Sequence, residues 1–175
     1  MDSVLNIFRT RRSHRKYNDK PIDENILKQI LEVGITSPTG DNFKTIELVL
    51  IKEKEMLKEL ANMRKVGTKM LSGAGAAIIV LADTSKTDLW IEDAAISASY
   101  MHLMADALGI GSCWIQVRAR DTADGGQFEG ALRDKLNIPV HMSPLCILSL
   151  GNIDSHLPAH SVEDIKWNKV HVENY

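Results

Sequence analysis

Only two cysteines occur in this chain of 175 residues, Cys113 and Cys146. A disulfide scaffold is therefore not expected, and two isolated thiols suit the reducing cytoplasm, the expected location. Charge of one sign is not in excess: 21 Lys and Arg against 23 Asp and Glu give a formal net charge of -2. A general polyanion binder carries its basic surplus in the total, so that class is disfavoured. No uncharged apolar run reaches the roughly 18 residues that a membrane span needs. The start, MDSVLNIF, lacks the ordered regions of a signal peptide. Low-complexity linkers and repeats of solenoid length are missing too. What remains is one globular unit, expected over residues 1–175, long enough to bury roughly 70% of its unfolded surface.

Against this near-neutral background the segment Arg9 to Lys16 places four arginines, one lysine and one histidine within eight residues. Three readings are open. The arginines Arg9, Arg11 and Arg12 could be the solvated end of a helix, complementing its negative C-terminal dipole. They could instead form a phosphate clasp, because guanidinium groups pair bidentately with phosphate oxygens and Ser13 adds a small donor. Charge-assisted hydrogen bonds of that kind contribute roughly 1.5–3 kcal/mol each. The third reading, a nucleic-acid contact, is weakened by the run's shortness and its lack of interleaved aromatics.

Periodicity places the elements. A short helix is expected from Asp2 or Ser3, as its cap, to about Arg11. A second runs from about Asp23 to Ile35, with Asp23 as N-cap and Ile26, Leu27, Ile30 and Leu31 on one apolar face. Ser37-Pro38 stops it, and the turn-rich loop SPTGDN follows. TIELVLIKE (45–53), GAAIIVLAD (75–83), GIGSCWIQV (109–117) and SPLCILSLG (143–151) read as strands. Helices are expected over 54–63, 89–108 and 128–136. The long helix at 89–108 is apolar on most sides, which calls for enclosure by its own domain or by a second subunit. The tail from Asn152 to Tyr175 has few apolar residues and is expected to lie along another surface. Together these give an α/β or α+β unit with a small sheet inside helices.

Several familiar chemistries are absent. No G-x-x-x-x-G-K-[ST] run occurs, and GAGAAI at Gly73 precedes a strand instead of following one, which disfavours a Rossmann turn. His156 and His160 have helical spacing, but Pro158 lies between them and no further ligand is near in sequence, so no metal site is expected. Cys113, inside an apolar strand, reads as core and not as a nucleophile.

The segment RRSHRKYNDKPIDENILKQILEVGITSPTGDN is similar to the opening of the nitroreductase-like FMN flavoproteins. Those proteins typically show an R-R-S-x-R run, a K-P step, an amphipathic helix and a P-S/T-x-x-N loop. KMLSGAGAAIIVLAD, DAAISASYMHLMADALGIGSCWI, PLCILSLGN and a late KVH continue the resemblance in order over most of the chain. The resemblance implies an α+β sandwich, a small central sheet flanked by helices, forming a homodimer with exchanged C-terminal tails. It implies FMN as cofactor and an NAD(P)H oxidoreductase that passes hydride by ping-pong exchange to an electron-poor acceptor such as a nitroaromatic or quinone. By position, Arg11, Arg12, Ser13 and Arg15 would grip the ribityl phosphate and the pyrimidine side of the ring. Pro38, Thr39 and Asn42 of the other subunit would cover the flavin, and Lys69 would approach its N1/O2 edge. Trp114, Ile115 and Gln116 would pass the far side of the ring. An ammonium about 4 Å from the negative charge of a reduced ring gains of order 4 kcal/mol before desolvation, at an effective dielectric near 20. No catalytic side chain is expected, because hydride chemistry belongs to the cofactor. Two departures stand out: FKTIE follows Asn42 where relatives read something like R-Q-P-W, and no Lys or Arg occurs between Gly151 and Ile165. The alternative reading is a flavin-binding or sensory protein without turnover.

Overall fold

The apolar runs become four strands: β1 (Ile46–Ile51), β2 (Ala76–Asp83), β3 (Ile110–Gln116) and β4 (Met142–Asn152). They form one sheet in the order β1-β2-β4-β3, antiparallel at every pairing. This computed structural model describes residues 2–175. The cap expected at Asp2 or Ser3 falls outside the side chains it describes.

The central strands β2 and β4 are buried along nearly their whole length, as their unbroken apolar sequences require. Helices therefore cover both faces. On one side lie α2 (Glu24–Ile35) and α4 (Trp90–Ala107), over a core that includes Ile30, Ile78, Val80, Ala98, Met101 and Leu148. On the other lie α3 (Lys54–Asn62), a 3₁₀ turn at Lys69–Gly73 and α5 (Phe128–Leu136), over a core that includes Leu57, Leu60, Leu71, Ile79, Phe128 and Ile147. The α+β arrangement expected from the sequence is present. Asp23 caps α2 as its position suggests, accepting from the Asn25 N–H at 2.8 Å.

The helix α4 deviates from the simple apolar rod read from its sequence. Its small residues Ala94, Ala98 and Ala105 are buried, while the large Ile96 and Tyr100 stand exposed. Small residues let the helix settle close to its neighbours: Ser97 Oγ donates to the Gly34 carbonyl of α2 at 2.9 Å. A Cβ at Gly34 would come within 2.6 Å of Met101 Sδ. The exposed side of α4 adjoins α1 (Asp2–Thr10), where Val4 and Phe8 are also exposed, and a shallow apolar groove runs between the two helices. That face is a large apolar patch of the kind that marks an interface.

Candidate functional site

The basic run leaves α1 in extended form and lies along the outer edge of β3. Ser13 pairs with Ser112 in a parallel bridge, and the His14 N–H donates to the Ser112 carbonyl at 2.9 Å. Two glycines make this docking possible. Gly111 and Gly151 face each other across β3 and β4, and their missing side chains admit His14 and Tyr17. A Cβ at Gly151 would stand 2.5 Å from the Tyr17 ring, closer than packed atoms tolerate. Tyr17 OH then donates to the His14 carbonyl at 2.7 Å and meets Ser149 Oγ at 2.7 Å. Further along, the Asn18 N–H donates to the Asn152 carbonyl, and Asn152 Nδ2 donates to the carbonyls of Lys20 and Pro21. The segment is clipped to the sheet from Ser13 to Pro21.

The arginines are held by neutral partners. Arg11 Nη1 donates to His102 Nε2 at 3.0 Å, Arg12 donates to the Pro158 carbonyl, and Arg15 donates to the Ser13 carbonyl at 3.3 Å. Among the described residues no carboxylate lies within ion-pairing distance of Arg9, Arg11, Arg12 or Arg15. Because guanidinium cannot accept, His102 Nε2 must be the acceptor, and the ring proton sits on Nδ1, facing Ser112 Oγ at 2.5 Å. Burial, helped by the Arg11 charge, pushes the His102 pKa down to about 4, so the neutral form that orients Arg11 is the stable one. His102 was not visible as a positioning residue in sequence, since one histidine in an apolar helix carries no pattern.

The remaining candidates fall in separate places. Trp114 and Gln116 share the α4 side of β3, and Trp114 Nε1 donates to Gln116 Oε1 at 2.9 Å. Ile115 points the other way into the opposite core. Lys69 opens the 3₁₀ turn beside α3, and its Nζ donates to Asn62 Oδ1 at 3.1 Å. No hydrogen bond among the described residues joins it to the basic run. Pro38, Thr39 and Asn42 lie in the loop leading into β1, at the opposite edge of the sheet from β3.

That loop is held by a residue the sequence did not reveal. Asp93, buried in the first turn of α4, accepts from the Gly40 N–H at 2.8 Å and from Thr45 Oγ1 at 2.7 Å. Asp41, Asn42 and Lys44 all adopt left-handed backbone with φ of 49°, 58° and 50°. Non-glycine residues rarely take that conformation, and such clusters concentrate where a loop serves a site. In sequence Asp93 looks like any acid favoured near a helix N-terminus.

The two thiols are structural. Cys113 and Cys146 are both buried, and burial pushes both pKa values up, away from the reactive thiolate. GAGAAI ends in the first residues of β2, with the Gly75 N–H donating to the Leu150 carbonyl, and opens no helix. The tail after β4 is exposed beyond Ile153 apart from a few contacts with the N-terminal segment and α4, among them the His160 N–H donating to the Arg9 carbonyl. No described helix is long and apolar enough to cross a membrane.

Comparison with known proteins follows the same outline. The model of the nitroreductase family matches residues 8–66 and 55–152. A protein of Archaeoglobus fulgidus, provisionally named an NADH dehydrogenase/NAD(P)H nitroreductase, is 29% identical over the full length of both chains. One from Methanothermobacter thermautotrophicus with the same provisional name is 30% identical over 85% of this chain and 76% of its own. Among solved structures, an FMN-dependent nitroreductase of Clostridium difficile R20291 superposes with a TM-score of 0.94 at 38% identity, covering 98% of this chain and 99% of that one.

Proposed function

The chain belongs to the nitroreductase family, and we propose on that premise that it is an FMN-dependent NAD(P)H oxidoreductase acting as a homodimer. The observation that carries the reading is the set of guanidinium groups laid along the β3 edge with no carboxylate among the described residues to neutralise them. Such a set fits a phosphate monoester: each arginine retains unused donors in the fork geometry that phosphate oxygens match. Arg12 and Arg15 hold the phosphate, Ser13 adds a hydroxyl, and Arg11 is kept in orientation by neutral His102. Trp114, Gln116 and the Ile115 main chain border the ring, and Lys69 supplies a cation for its pyrimidine edge.

The sheet order supports the reading of a second copy. The loop with Pro38, Thr39 and Asn42 adjoins β1, the basic run adjoins β3, and two strands separate those edges. At about 4.8 Å per strand spacing the gap is on the order of 14 Å, which favours the loop of a partner as the cover. The exposed apolar face of α1 and α4 supplies an interface, and the exposed tail supplies an arm across it.

FMN, when bound, supplies the hydride transfer between nicotinamide and acceptor. The chain's own residues bind and orient it, and none serves as an obligatory acid or base. NAD(P)H and an electron-poor acceptor, such as a nitroaromatic or quinone, take turns over one open ring face, the first leaving before the second enters. The test is anaerobic: purified protein should carry a flavin spectrum that bleaches on adding NADH or NADPH and returns on adding a quinone. Colourless protein that neither binds FMN nor oxidises NAD(P)H would overturn the reading. Bound flavin that stays oxidised in excess NAD(P)H would mark a flavin-binding protein without turnover.

A further inference from the structure

Beneath the basic run, three segments far apart in sequence bring a histidine, an aspartate and a second histidine to one point. The ligand-capable atoms of His14, Asp106 and His156 all lie within 4.8 Å of one another. His14 comes from the edge segment, Asp106 from the last turns of α4 and His156 from the tail just beyond β4. The flavin reading uses none of the three.

Two details bear on what the cluster holds. His14 is 5% exposed and its Nε2 is buried with no hydrogen-bond partner among the described residues. A buried polar atom left unpaired costs free energy, which a ligand at that atom removes. His156 faces an acceptor on each side: Nδ1 lies 2.7 Å from the Leu157 carbonyl and Nε2 lies 2.8 Å from Asp106 Oδ1. A neutral ring has one proton and cannot satisfy both. With Nδ1–H donating to the carbonyl, the Nε2 lone pair points at a carboxylate oxygen, and a cation must stand between them. That cation is either a second ring proton or a metal ion.

The surroundings match a metal centre in its outer contacts as well. Metal-bound histidines commonly donate their other N–H to a carbonyl, as His156 does to Leu157, and ligating carboxylates are themselves hydrogen-bonded. Here Thr10 Oγ1 donates to Asp106 Oδ2 at 2.9 Å, so Oδ1, which faces His156, is the oxygen available to ligate. We infer that His14, Asp106 and His156 form a binding site for a first-row divalent cation of the zinc type, with a fourth position open to water.

Two imidazoles and one carboxylate suit such ions better than magnesium or calcium, which prefer all-oxygen shells. Tetrahedral ligation at about 2.0–2.1 Å sets ligand atoms about 3.3 Å from one another, so the cluster adjusts on binding: the 2.8 Å His156–Asp106 contact opens and the wider separations close. The movable member is His156, whose segment is exposed. Arg12 lies near both histidines and opposes a cation there, whereas Asp106 favours one. The bound ion ties the tail to α4 and to the basic run, fixing the segment whose Pro158 carbonyl receives Arg12.

The experiment uses the full-length, tag-free chain as isolated, treated with chelator and then titrated with zinc against a competing indicator. One zinc per chain should bind, and His14→Ala and His156→Ala should each weaken it at least about tenfold, while His160→Ala leaves it unchanged. Cobalt(II) should give the visible absorption of a four-coordinate site, and it should vanish in the same two variants. The exposed position of His156 keeps that variant folded even if His14→Ala is not. Zinc binding that is absent, or that survives His156→Ala undiminished, would overturn the site and leave a protonated His156–Asp106 pair. Neither result bears on flavin binding, which is read separately from the visible spectrum.

Discussion

The two edges of the sheet are finished in opposite ways. At the β1 edge the loop from Pro38 to Lys44 is anchored by a buried carboxylate, Asp93, whose two oxygens are both engaged. At the β3 edge the basic run is anchored by main-chain bonds and by the space over Gly111 and Gly151, and its guanidinium charge is left without a carboxylate. One edge is internally satisfied and holds an unusual backbone in place. The other holds surplus donors in place. On the proposed reading the anion belongs at the second edge and the first serves as a shaped cover.

The largest expected effect comes from emptying the second edge. Arg12→Ala combined with Arg15→Ala should weaken FMN binding by about 3–6 kcal/mol, or roughly 10²- to 10⁴-fold, read by fluorescence quenching on titration. Loss of stability without loss of FMN affinity would make those arginines mere helix-end charges.

Breaking the first edge should cost less. Asp93→Ala leaves the Gly40 N–H and the Thr45 hydroxyl without their acceptor, and stability should fall by about 2–4 kcal/mol in urea denaturation. FMN affinity should fall far less than in the arginine double variant. Equal losses in both would erase the distinction between the edges.

Acid should act on the second edge. The folded-state pKa of His102, about 4, is below its ordinary 6.5, so its contribution is fully present above pH 6.5 and is lost as pH falls toward 4. The displacement corresponds to roughly 3 kcal/mol, and His102→Gln should flatten the stability profile over that window. A profile unchanged by the substitution would remove His102 as the residue orienting Arg11. The smallest effect concerns the cover: Lys44→Gly should stabilise the chain by about 1 kcal/mol, because glycine adopts positive φ without steric cost.

The elements were legible almost to their ends. Apolar runs bounded by Pro, Gly and capping residues placed every regular helix and strand within two residues of its observed limits. Capping and burial are local, so local sequence carries them. The basic run stood out in sequence because its charge contrasts with a near-neutral chain, and the proposed phosphate site starts from that contrast. Asp93 and His102 were not legible, since each acts on residues tens of positions away and looks ordinary beside its neighbours. The cluster of His14, Asp106 and His156 was hidden for the same reason. Spacing offered only His156 and His160, and with Pro158 between them no metal site was expected.

The claim at the centre is that the edge arginines grip a phosphate group. It is tested most directly by comparing FMN with riboflavin, which lacks only that phosphate, on the same protein. The account predicts that FMN binds at least about a hundredfold more tightly and that the gap closes in the Arg12→Ala, Arg15→Ala variant. Equal affinities for the two flavins in the unaltered protein would contradict it.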